Sequence, residues 1–276
     1  MPITFTAPKS NQKLPFGETV EFAGTASANV KRVELMADDQ VVLPAVTLSA
    51  SKWFVGHRFS RGGKRRIVAT GFNDAGKVVA SAELAIEIAA PDFGQFVPIP
   101  GNINPGVSKA RQKTMLEALG KPGELTEDCS PVTNAKLKKL LITVNVGPFA
   151  VEGIKPAVEA LQRIFARVKE SEPELFVQLG TAGMLCCRRI RRPPSQPPST
   201  QFSNHAWGAA IDLKVKGALD PRGDGKTQLG LLVLHPFFNA ERFFWGAGFK
   251  GKDEDSMHFE ASDELMRDWK KKGLLG

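Results

Sequence analysis

Three of the four histidines fall in the last 72 of 276 residues, and two of these sit among groups able to do chemistry. The first stretch is Ser203-Asn-His205-Ala-Trp-Gly208-Ala-Ala210-Ile-Asp212. The second is Asp253-Glu-Asp255-Ser-Met-His258-Phe-Glu260. Two imidazoles and one carboxylate form a neutral-plus-anionic donor set suited to Zn²⁺, with a fourth position left for water. Water held in such an open position deprotonates near neutral pH and becomes a nucleophile. Asp212 lies in the apolar run 209–213, where a bare carboxylate is costly unless it is paired or coordinated. Gly208 permits a tight turn that brings His205 beside that run. A plainer arrangement also fits: a buried Asp212 bonded to a core His205, with His258 unrelated at the surface.

The remaining sequence must supply the elements that position these groups. A length of 276 residues points to two domains. Hydrophobic residues at 42% and charged residues at 24% fit a globular chain and exclude wholesale disorder. The net charge of +8 favours anionic partners such as nucleic acid, acidic lipid or acidic cell-wall polymer. Of three cysteines, two are adjacent (Cys186, Cys187), which excludes a disulfide framework. One bridge from Cys129 to either of the pair is open, but buried free thiols are the expected state. No apolar run approaches the roughly 18 residues of a membrane span. The start, Met1-Pro-Ile-Thr-Phe-Thr, lacks the charged and apolar regions of a secretory signal.

Residues 1–89 read as all-β. Thr19–Ala23, Lys31–Leu35 and Arg66–Phe72 alternate polar and apolar side chains, and turn signals at 15–17, 37–39, 61–63 and 73–76 separate them. The runs on either side of Asn73–Gly76 predict a hairpin. Short strands at this spacing predict a small sandwich, and the segment resembles bacterial immunoglobulin-like modules. His57 is expected at the surface or in packing, and Arg58, Arg61, Lys64, Arg65 and Arg66 as a solvated loop. Residues 90–107, with Pro91, Pro98, Pro100 and Pro105, read as a stiff, extended linker. Residues 108–276 read as α+β. Helices are predicted over Lys109–Leu119 with Ser108 as N-cap, over Pro156–Val168, and over Asp263–Lys272 with Ser262 as N-cap. Strands are predicted over 140–144, 208–213 and 257–260. Arg188–Thr200, four arginines then four prolines, reads as a mobile loop leading into the first histidine stretch.

Ser203, His205, Gly208, Ala210 and Asp212, followed by Met257-His-Phe-Glu260, resemble the signature of the D-alanyl-D-alanine carboxypeptidase and L-alanyl-D-glutamate endopeptidase family of zinc peptidases. The resemblance spans roughly residues 108–270. It implies one Zn²⁺ per chain held by His205, Asp212 and His258. Asp255 matches the acid that activates the water and later protonates the leaving amine, and aspartate there looks like the endopeptidase and phage-lysin branch. An arginine ahead of the first motif stabilises the oxyanion; Arg188 fits best and Arg189 almost as well. Ser203, Trp207 and Arg189 are candidate substrate contacts. Trp245 and Phe249 either wall a cleft or pack the core, Glu260 is a candidate to support His258, and His235 is expected in packing.

The fold class implied is thus an N-terminal immunoglobulin-like β-sandwich followed by an α+β zinc peptidase domain. The implied function is hydrolysis of peptidoglycan stem or cross-bridge peptides containing D-amino acids. Which bond is cut stays open, as does endo- against exo-action. A wall enzyme without an export signal fits a phage lysin, a virion or tail component, or delivered cargo. It would be made in the cytoplasm and act at the wall or periplasm. The sandwich would then bind wall material or dock onto a phage-tail or secretion assembly. The competing class is a non-catalytic structural component of such an assembly. Nucleic-acid binding through Arg188–Arg192 is a third and disfavoured reading, with affinity that would fall steeply with salt and survive chelation.

Overall fold

The computed structural model describes residues 3–16, 18–38, 40–46, 48–49, 51–59, 62–192 and 196–276, with only the backbone described over 40–46 and 48–49. The chain divides into two compact units, residues 1–91 and 92–276.

In the first unit, the strands are Ile3–Ala7 (β1), Gln12–Leu14 (β2), Thr19–Ala26 (β3), Arg32–Ala37 (β4) and Gln40–Val46 (β5). Leu48–Ser49 (β6), Lys52–Arg58 (β7), Gly63–Phe72 (β8) and Val78–Ile88 (β9) complete it. They form two sheets, ordered β1-β3-β7-β6 and β2-β9-β8-β4-β5. The alternation in β3 shows why: Val20, Phe22 and Ala26 are buried while Thr19, Glu21 and Thr25 are exposed. Phe22 and Trp53 from one sheet share a single core with Leu35, Ile67 and Ile86 from the other. That is a two-sheet sandwich. The expected hairpin is β8–β9, its turn closed by a bond from Gly76 N–H to the Asn73 carbonyl. His57 packs edge-on against Phe59 at 4.7 Å. Arg65 and Arg66 pair with Asp38 and Glu83, whereas Gly17, Asp39 and Arg61 lie outside the described residues.

The second unit runs through Phe96–Pro98 (β10), Gln112–Leu119 (α1), Ala135–Leu140 (α2), Leu141–Asn145 (β11), Ala150–Ile154 (β12), Lys155–Ser171 (α3) and Pro173–Phe176 (α4). It continues with Leu179–Gly183 (β13), Ala210–Val215 (β14), Lys226–Gln228 (β15), Leu229–Ala240 (α5), Phe243–Trp245 (β16), His258–Ala261 (β17) and Asp263–Lys271 (α6). An antiparallel sheet ordered β13-β14-β17-β16 forms its centre. The apolar stripe of α3, including Val158, Leu161, Ile164, Phe165 and Val168, is wholly buried in the same core as Ile211, Leu213 and Phe259 of the sheet.

Several expectations change here. Residues 92–107 are not a free linker: Phe93 is buried in the second core, β10 pairs with β15, and the Asn104 amide brackets both backbone groups of Trp245. Three prolines in this stretch, Pro98, Pro100 and Pro105, remove backbone donors, and side chains and one short strand tie it down. The first helix starts at Gln112 rather than Lys109, because Glu264, Glu260 and Asp263 take the N–H groups of Ser108, Ala110 and Arg111 in extended geometry. Helix α5 escaped the sequence reading because Pro236 lies inside it and normally reads as a breaker. Cys129 and Cys186 form a disulfide, and Cys187 alone is free and buried. Among the described residues, no helix is long and apolar enough to cross a membrane.

Candidate active site

His205 comes from a single 3-10 turn, Asn204–Trp207, that ends at Gly208. Gly208 has φ 63°, and a Cβ there would lie 2.7 Å from the Gly153 Cα, so both the turn and the close approach require glycine. Asp212 and His258 are directly opposite each other in the β14–β17 register. Side chains opposite one another in an antiparallel pair lie on the same face, and His205 reaches that face from the turn. The donor atoms converge: His205 Nε2 is 3.1 Å from Asp212 Oδ1 and 3.2 Å from His258 Nδ1, which is 3.0 Å from the same oxygen. Among the described residues this is the one group of three His, Cys or acidic side chains placed to hold a metal ion.

Partners on the far side of each ring decide the tautomers. His205 Nδ1 faces the Met184 carbonyl at 2.9 Å, and a carbonyl only accepts, so that nitrogen donates. His258 Nε2 donates to Glu260 Oε2 at 2.9 Å. In the neutral rings both nitrogens facing Asp212 therefore carry lone pairs. Two lone pairs and a carboxylate within 3.2 Å repel unless a cation lies among them. Without a metal, that cation is a proton. Burial alone would lower the His258 pKa, but bonds to Asp212 and Glu260 raise it to about 10. Asp212 shows the reverse: burial pushes it up, and the two histidines hold it far below the usual carboxylate range. The donor types and spacing fit Zn²⁺, whose bonds of about 2.0–2.1 Å hold tetrahedral ligands roughly 3.3 Å apart.

Glu260 supports this arrangement more fully than sequence reasoning showed. It is 3% exposed, and its other contacts come from Asn204 Nδ2 and the Ala110 N–H. A carboxylate behind a ligand histidine fixes the ring and raises its basicity. Asp255 stands on the approach to His258, whose N–H donates to the Asp255 carbonyl. Arg222 Nε is 3.2 Å from Asp255 Oδ2, and Oδ1 is buried without a partner. Burial raises the Asp255 pKa, with His258 and Arg222 opposing it. Of its neighbours, Asp253 is exposed, and Glu254 is buried, accepting from the Gly223 N–H and Ser256 Oγ.

Of the other predicted residues, half-buried Arg188 lies close enough to Asp212, Arg222 and Asp255 to feel their charges. Arg189 turns away, donating to the Leu125 carbonyl and pairing with Glu127. Trp207 is fully buried and donates to the Gly120 carbonyl, so it packs rather than lining a cleft. Ser203 is buried, its N–H on the Arg188 carbonyl and its own carbonyl accepting from Ala206. Trp245 is buried and stacks with His235, whereas half-buried Phe249 stands 5.7 Å from the His258 ring. The Arg188–Thr200 loop is clasped at its base by the bridge between Arg189 and Phe202; its residues 193–195 lie outside the described residues. Arg222 and Met184 were missed. Arg222 sits in an ordinary-looking Asp-Pro-Arg-Gly-Asp turn, and Met184 acts through its carbonyl, which no side-chain motif records.

Residues 197–261 match the model of a family described as D-alanyl-D-alanine carboxypeptidase. The trio, Glu260 and Asp255 all fall inside that span. No curated protein matches the chain. Among solved structures, the CbhA fibronectin(III)-like modules of Clostridium thermocellum are 22% identical over 31% of this chain and 94% of theirs, with a TM-score of 0.28. The endo-β-1,4-mannanase of Thermotoga petrophila is 14% identical over 33% of this chain and 20% of its own, with a TM-score of 0.29. The family match supports a hydrolase class, a D-Ala-D-Ala carboxypeptidase-like peptidase. A His-Asp-His group able to hold a metal stands within the matched region.

Proposed function

We propose that this chain is a zinc-dependent peptidase acting on peptidoglycan stem or cross-bridge peptides that contain D-amino acids. The observation that carries the reading is the inward-facing triangle of His205 Nε2, Asp212 Oδ1 and His258 Nδ1, with both outer ring nitrogens already donating. Zinc held there would supply Lewis acidity toward a carbonyl oxygen and acidify water. Asp255 takes the proton of the attacking water on its unpartnered oxygen and returns it to the leaving amine. Its raised pKa suits both halves of that exchange, and Arg222 on the other oxygen keeps the carboxylate aimed. Arg188, close to Asp212 and Asp255, offers its guanidinium to the developing oxyanion.

In this proposal the sandwich is an immunoglobulin-like module that docks the enzyme on wall material or on a phage-tail or delivery assembly. The +8 charge aids encounter with an anionic wall rather than selectivity. The test combines elemental analysis with digestion of purified sacculi by wild type, Asp255→Ala and His205→Ala. One zinc per chain, with new amino termini released by wild type alone, is the expected result. Folded protein that neither contains nor takes up zinc overturns the reading.

A further inference from the structure

Linked to Asp255 through Arg222 is a second feature whose other cations the peptidase chemistry leaves unused. An open cavity of about 460 Å³ is lined by Arg191, Arg192, Arg222, Gly223, Lys252 and Asp253. That volume is within the range of small-ligand sites, roughly 300–1,000 Å³. Four cations and one carboxylate line it, and Arg222 is already paired with Asp255. Among the described residues, Arg191, Arg192 and Lys252 make no ion pair. With Arg222 already paired, one carboxylate faces three further cations, and a bound anion reduces their mutual repulsion.

The cavity is built rather than incidental. The Gly223 N–H is bonded both to the Glu254 carbonyl and to Glu254 Oε2. Gly223 has φ 71°, and a Cβ there would lie 3.0 Å from the Lys252 Cα, so the two loops close on each other only through glycine. Glu254 is 5% exposed and also accepts from Ser256 Oγ, which fixes its loop. Arg222 joins the cavity to the reacting groups, with its Nε on Asp255 while the residue lines the wall. Guanidinium forks match a carboxylate in two parallel bonds. The cations share the lining of one open cavity of about 460 Å³, room for a single carboxylate-bearing group.

We infer that Arg191, Arg192 and Lys252 form an anion subsite for a free carboxylate of the peptide substrate, held away from the bond being cut. The inference rests on the peptidase reading and sharpens it: the preferred substrate is an acidic peptide, and amidating that carboxyl removes the preference.

The test uses the full-length zinc-loaded chain and two pentapeptides, L-Ala-γ-D-Glu-L-Lys-D-Ala-D-Ala with the glutamyl α-carboxyl free or amidated. Wild type is expected to show a KM about tenfold lower for the free acid, the scale of one charge-assisted contact. Arg191→Gln combined with Lys252→Gln brings the ratio close to one without changing kcat or the KM of the amide. Equal KM values for the two peptides in wild type overturn the subsite and leave the peptidase reading intact. Hydrolysis of neither peptide counts against the peptidase reading, and calorimetric binding of the same pair then decides the subsite: a preference for the acid that the double variant loses supports it, and equal affinities overturn it. A glycerol-phosphate hexamer that binds wild type but not the double variant, with no acid preference among peptides, assigns the cavity to a phosphodiester polymer and overturns the carboxylate inference.

Discussion

The two units bury different kinds of matter. Among the described residues, no buried polar or charged side chain lies in residues 1–91, whose core consists of Phe22, Trp53, Leu35, Ile67 and their neighbours. The second unit buries His205, Asp220, Glu254, His258, Glu260 and Asp263 as well as its apolar core. Burying such groups costs free energy unless each finds a partner. Glu260 shows how this is met, with bonds from His258, Asn204 and Ala110. Asp255 Oδ1 and Asp220 Oδ1 show where it is not. The described core of the first unit is apolar except for the unpartnered Trp53 Nε1, whereas the second unit also buries ionisable groups, some tied up in structural bonds and three gathered as the His205–Asp212–His258 trio.

The widest separation between the units is expected at Asp255. Asp255→Asn should lower kcat by roughly 10²–10⁴-fold, the usual scale for a lost general acid–base, with zinc content unchanged. Peptide-release assays beside elemental analysis check this, and an unaltered rate would remove Asp255 from the mechanism. Trp53→Ala should act on the other unit, costing about 3–5 kcal/mol of its stability through a cavity. Calorimetry should show the sandwich transition shifted down while zinc affinity holds.

A smaller effect is expected at Glu260→Gln, which keeps the shape and removes the charge behind His258. Zinc affinity, read by competition with a chelator, should fall about 10–100-fold. The remaining effect is one of pH and concerns Asp220. Burial, with Glu254, Asp224 and Asp255 adding to it and the Gln228 N–H opposing, raises its pKa from 3.8 to about 7. The folded state thus keeps a proton that the unfolded chain releases near pH 4. Stability of the second unit should fall as pH rises from about 4 to about 7 and level off above. Thermal melts of Asp220→Asn should show that slope flattened; a slope identical to wild type would place its origin in another group.

The sequence determined by itself whatever local pattern controls. Period-two alternation gave β3, β4 and the β8–β9 hairpin, and three- and four-residue spacing gave α3. Ser262 capped the last helix as expected, accepting from the Leu265 N–H. The residue types and motif order singled out His205, Asp212 and His258. Only the tertiary structure decided what those groups can do together, because register is a property of two strands and not of either one. The pairing of Asp212 with His258, the Met184 carbonyl behind His205 and Arg222 on Asp255 each join residues far apart in the chain. The same holds for the Cys129–Cys186 bridge, across 57 residues, and for residues 92–107, whose prolines read as a linker until distant partners fix them. Local sequence sets local geometry through short-range sterics and hydrogen bonds. Which lone pairs face each other is settled only when the whole core packs.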